Sequence, residues 1–114
     1  MPEQRGPRGW EGLPSPDEPG WAGWCRHWLA AHSPTTLVQE ATARRASPRS
    51  HGRALWRHLT DRREVLEHHL AQEQADGVSG RALEVREADH LQELDEVVDL
   101  LRILETIGPH LPER

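Results

Sequence analysis

The sequence contains no Phe, Tyr, Lys or Asn, and only one Cys and one Met among its 114 residues. Without Phe and Tyr, all aromatic area comes from the five Trp. Four of these (Trp10, Trp21, Trp24, Trp28) fall in the first quarter of the chain, which excludes an aromatic core spread along its length. The lone Cys25 excludes an internal disulfide and suits a reducing compartment. Phe, Tyr, Lys and Asn share AT-rich codons, so their joint absence marks a GC-rich gene and gives the all-Arg basic set little functional weight. No apolar run approaches the roughly 20 residues needed to span a bilayer. The N-terminal MPEQRGPR lacks the apolar segment of a secretory signal. The expectation is a soluble cytoplasmic protein.

A chain of this length holds one domain at most, and 35% hydrophobic residues bound its core to a modest size. Leu and Val must fill that core between Leu55 and Ile107. The net charge of −5 supplies no global field toward nucleic acid.

Residues 1–20 carry Gly or Pro every few positions and apolar residues without a period. Such a stretch buries too little surface to offset its ordering entropy, and a disordered leader is expected. Residues 21–47 read as short helical segments, Trp-rich and then Arg-rich. Trp21, Trp24, Trp28 and Leu29 fall at i, i+3, i+7 and i+8, one face of a helix near 20–31. Ser15-Pro16-Asp17-Glu18 resembles a capping box ahead of it. Ser33-Pro34 repeats the cap-then-proline signal before a helix over TTLVQEATARRA, which Ala46-Ser47-Pro48 should stop.

Residues 48–108 predict a long antiparallel helical hairpin. Leu55, Leu59, Leu66 and Leu70 recur at helical spacing up to Ala75, and Asp76-Gly77-Val78-Ser79-Gly80 supplies the turn. Leu83, Leu91, Leu94, Val97, Val98, Leu101 and Leu104 line a second helix from about Arg81 to Ile107, closed by Gly108-Pro109. Two long helices joined by a short turn pack antiparallel. Charge points the same way. Arg44 to Arg63 holds seven Arg against Asp61, and Glu84 to Glu105 holds eight acids against Arg86 and Arg102. Folding the chain back at Val78 sets Arg53–Arg63 against Glu93–Ile103. Residues 109–114 should form a flexible C-terminus. The fold class is therefore all-α: a coiled-coil-like hairpin, one or two short N-terminal helices and a disordered leader.

The end of the second helix, VVDLLRILETI, carries apolar residues over most of its circumference. Val97, Val98, Leu101 and Leu104 face one way, and Leu100, Ile103 and Ile107 face the side or back. Such a helix is buried on several sides. Either the N-terminal segments cover it within the chain, or a second copy or another helical protein docks there. The expected partner-binding residues are Val97, Leu100, Leu101, Ile103, Leu104 and Ile107, with Trp21, Trp24 and Trp28 as indole anchors. A homodimer is one form this takes.

Few residues suit chemistry. Glu87-Ala88-Asp89-His90 is a Glu-x-x-His on the second long helix, and His69 and Glu73 share the seam of the first. In a dimer of hairpins, His69, Glu73, Glu87 and His90 would approach the arrangement of a di-metal carboxylate bundle. Cys25, His27 and His32 fall short of the roughly four ligands of a structural zinc site. No phosphate-cradling glycine loop or nucleophile elbow is present. The Arg44–Arg63 stretch could meet phosphates, and Arg44-Arg45-Ala46-Ser47 fits a basophilic kinase site. The reading is a non-catalytic protein-interaction module without a cofactor. A nucleic-acid-binding regulator is the first alternative and the di-metal bundle the second.

Overall fold

The structure, a computed structural model, describes residues 13–75 and 81–114, excepting the side chains of 81–84. Its regular elements are helices α1 (Trp21–Ala31), α2 (Thr35–Ala43), α3 (Pro48–Ala75) and α4 (Arg81–Ile107), followed by a 3-10 turn at Gly108–His110. The class is all-α, and α3 and α4 form the expected helical hairpin. The first part of the leader and the 76–80 turn lie outside the described residues. No described helix is long and apolar enough to cross a membrane.

Proline and the polar residues beside it set most helix boundaries. Residues 15–20 form turns, with Glu18 N–H donating to Ser15 O and Trp21 N–H to Glu18 O, both at 3.0 Å. Ser15 therefore closes a turn five residues short of α1 instead of capping it. α1 ends at His32, whose N–H bonds Trp28 O, because Ser33 precedes Pro34 and resists the α conformation. Ser33 does not cap α2 either; its hydroxyl donates to Leu29 O at 2.5 Å. α2 stops at Ala43, before the expected end at Ala46. Arg45 adopts φ 51°, and Ala46 N–H reaches Ala41 O while Arg45 N–H reaches Thr42 O. This is a Schellman closure with Arg at the position that favours glycine. Ser47 does cap its helix: Ser50 N–H donates to Ser47 Oγ at 3.1 Å, and Pro48 follows as the first residue of α3.

The chain divides into two compact units, one ending at Trp56 and rejoined by Ile103–Arg114, the other Arg57–Arg102. In the first, Trp21, Cys25, Trp28, Leu29, Leu55, Leu104, Ile107 and Leu111 are buried. Burying each large apolar side chain contributes about 1.5–3 kcal/mol before entropy is set against it. Gly52 makes this packing possible, since a Cβ there would lie 2.5 Å from Leu111 Cδ1. Leu104 Cδ1 and Leu29 Cδ2 stand at 3.7 and 3.9 Å from the same point. Trp21 Nε1 donates to His110 O at 2.8 Å, so α1 is pinned to the segment after α4.

That segment departs from the expected flexible C-terminus. Leu111 is buried, Arg49 N–H donates to Pro112 O at 3.0 Å, and Arg49 Nη1 pairs with Glu113 Oε1 at 2.6 Å. One apolar residue among polar neighbours shows no periodicity, so the sequence pattern gave no sign of its anchoring role.

The second unit is simpler. Leu59, Leu66 and Leu70 of α3 and Val97 and Leu101 of α4 are buried along one seam. Arg62 Nε donates to Glu93 Oε2 at 2.6 Å. That pair, like the approach of Leu104 to Gly52 in the first unit, fits a chain folded back near Val78. The expected register is present in each unit.

Candidate functional site

The residues expected to bind a partner are mostly interior. Trp21, Trp28, Val97, Leu101, Leu104 and Ile107 are buried within the single chain. Trp24, Leu100 and Ile103 are half-exposed. In the first unit Leu29 of α1, Leu104 of α4 and Leu111 meet beside Gly52 of α3, and Ile107 is buried in the same unit. The intrachain alternative therefore accounts for this end of α4. The indoles are a stacked column: Trp21 and Trp24 lie 5.3 Å apart at 15°, and Trp24 and Trp28 6.3 Å apart at 23°. His32 continues it at 4.8 Å from Trp28.

Three of the four metal candidates come together in the second unit. His90 Nδ1 lies 3.0 Å from Glu73 Oε1, and the His69 and His90 rings are 5.5 Å apart. The helical hairpin and the i, i+4 spacing of His69 and Glu73 produce this grouping. The His90–Glu73 contact is close but poorly aligned, and His90 Nδ1 and Glu73 Oε2 are buried without a hydrogen-bond partner. Glu87 is half-exposed. Among the described residues, no group of three His, Cys, Asp or Glu side chains is placed to hold a metal ion. Cys25, His27 and His32 likewise do not converge. Cys25 is a free, buried thiol, and burial pushes its pKa up to about 11.

The basic stretch divides into paired and unpaired groups. Arg44 pairs with Glu40 at 3.0 Å, Arg49 with Glu113, Arg62 with Glu93, and Arg63 with Glu67 at 3.7 Å. Arg53 and Arg57 are exposed and have no ion pair among the described residues. Arg53 stands one turn before Trp56, which is 41% exposed. Trp56 directly follows Leu55 of the leucine seam in sequence. One step of 100° around the helix turns it outward. The kinase-type Ser47 is half-buried and its Oγ is engaged as the cap of α3.

The first unit also contains an open cleft of about 660 Å³. Leu29 and Pro48, both buried, form its inner wall, and Val38 and Ala41 its half-exposed flank. Arg26 and Arg45 line its exposed rim. His51 also lines it. The Ser33 hydroxyl spends its proton on Leu29 O, so His51 Nε2, 2.9 Å away, donates to Ser33 Oγ. Burial lowers the His51 pKa, consistent with a neutral ring in that role. No local pattern announces this cleft, because α2 contributes half-exposed residues without a buried stripe. No family model, curated protein or solved structure matches the chain.

Proposed function

We propose that the chain is a small non-catalytic protein-interaction module that docks an acidic helical segment on the exposed face of α3 at Arg53 and Trp56. The observation that carries this reading is a large, exposed indole one helical turn from an arginine that has no ion-pair partner among the described residues. Trp and Arg dominate binding energy at protein interfaces, since each buries a large area and fixes direction. The guanidinium offers bidentate bonds to a carboxylate, which favours an acidic partner. Trp24 and Ile103 in the first unit and Leu100 in the second are the half-exposed members of the sequence-expected set, each reachable by a partner.

Capture of partners from the native extract, followed by mass spectrometry, tests the assignment. Wild type is compared with Arg53→Glu/Trp56→Ala and with Leu100→Asp/Ile103→Asp. Loss of the captured protein in the first variant and its retention in the second supports docking on α3. Retention in the first variant overturns it.

The same pair supports a second reading, single-stranded nucleic acid, because an exposed indole stacks on bases while Arg meets phosphate. Salt separates the two. Phosphate binding weakens linearly in log–log form as counterions are released, whereas docking on an acidic helix loses only the screened part of the Arg53 pair and keeps the contribution of the Trp56 indole buried in the complex.

A further inference from the structure

We infer that the cleft in the first unit is a binding site for a small amphipathic anion, a carboxylate or phosphate head on a short apolar body. Its volume of about 660 Å³ lies within the roughly 300–1,000 Å³ typical of small-molecule sites. The wall is apolar where it is deep and cationic where it is open. Leu29, Val38, Ala41 and Pro48 supply the first surface, and Arg26 and Arg45 supply the second.

Three further observations bear on the head group. Arg26 and Arg45 come from different elements, α1 and the junction after α2, and neither has an ion pair among the described residues. The one acidic side chain in the lining, Glu113, is already held by Arg49 at 2.6 Å, so it does not neutralise the rim. Arg45 occupies a left-handed backbone conformation, φ 51°, where glycine carries no penalty. A non-glycine side chain at such a position carries backbone strain, which clusters at binding sites.

The α3 N-terminus, although it lines the same cleft, contributes nothing to anion binding. Pro48 has no N–H, Arg49 N–H is spent on Pro112 O and Ser50 N–H on Ser47 Oγ. The guanidinium groups must therefore hold the anion, and Arg presents two parallel donors to either head group. This site is separate from Arg53 and Trp56 and does not depend on their role.

The test is a titration of the full chain, followed by amide chemical shifts, with octanoate, monooctyl phosphate, octanol and inorganic phosphate below aggregating concentrations. Octanoate or octyl phosphate should saturate shifts at Ala30, Ala41 and Thr42 with a Kd of order 1 mM or tighter. The tighter of the two identifies the head group. Octanol and inorganic phosphate should bind about tenfold more weakly, since each lacks one half of the contact. Arg45→Gly should weaken binding about tenfold while raising Tm by about 4 °C, because the left-handed position is relieved. Arg26→Gln should weaken binding without that rise. Unshifted cleft amides, equal binding of octanol, or undiminished binding by Arg45→Gly would each overturn the assignment.

Discussion

The two units use the same pair of helices in different ways. In the Arg57–Arg102 unit, α3 and α4 bury five apolar side chains along one seam, while Val65, Val85 and Leu91 remain exposed. In the other unit the pair is closed over by α1 and Leu111, and eight apolar side chains are buried, two of them indoles. A two-helix seam excludes water from one side only. A third element turns the same helices into a core with an interior. The difference shows why α4 becomes apolar around its circumference as it nears Ile107: it passes from a one-sided to a many-sided environment.

The largest expected effect comes from cutting each core. Ile107 and Leu66 are both fully buried. Ile107→Ala should cost about 4 kcal/mol, because its unit buries side chains of α1, α3, α4 and the C-terminal segment, and a core built from several elements collapses poorly onto a cavity. Leu66→Ala should cost about 2–3 kcal/mol, since a two-helix seam relaxes more readily. Urea unfolding of both variants checks the ranking, and equal losses would erase the contrast.

Alkaline pH distinguishes the cores next. Burial raises the Cys25 thiol from 9.0 to about 11. Below about pH 9 the thiol is protonated in both folded and unfolded chains and contributes no pH dependence. Between about 9 and 11 the unfolded chain ionises first, so stability falls as pH rises. With no Lys or Tyr in the sequence, no other side chain titrates in that window. A fall of up to about 2 kcal/mol is expected in wild type, measured as a lower urea midpoint. It should vanish in Cys25→Ala.

Gly52→Ala probes the contact with Leu111. The added Cβ would stand 2.5 Å from Leu111 Cδ1, and a loss of about 1–2 kcal/mol is expected. Leu111→Ala in the same chain should make the two effects non-additive, as expected for residues in direct contact. The smallest effect lies in the second unit. Arg62 and Glu93 are each more than two-fifths exposed, and a double-mutant cycle should give a coupling of about 0.5 kcal/mol.

Much of the fold was legible because periodic patterns and proline signals are local. Leucine spacing defined α3 and α4, Gly108-Pro109 marked the end of α4, and opposed charge gave the register that Arg62 and Glu93 display. The closing contacts were not legible. Leu111 has no periodic partner, a lone glycine such as Gly52 does not announce what packs against it, and Arg45 stands where a glycine would mark a helix end. Most of the expected partner surface is buried within the chain, for a related reason. Apolar excess on one helix states that something must cover it, and only tertiary structure shows that α1 and Leu111 do so for Leu104 and Ile107. The cleft depends on where α1, α2 and the chain's last residues meet, which no local pattern encodes.

Native-state hydrogen exchange tests the central claim most directly, that the end of α4 belongs to a closed core and the rest of the hairpin to an open seam. Amides of residues 25–29, 52–55 and 103–107 should exchange only by global unfolding, with one shared free energy. Amides of residues 85–93 should exchange through a smaller opening, well below the global value. Equal protection of the two sets, or stronger protection at 85–93 than at 103–107, would contradict the account.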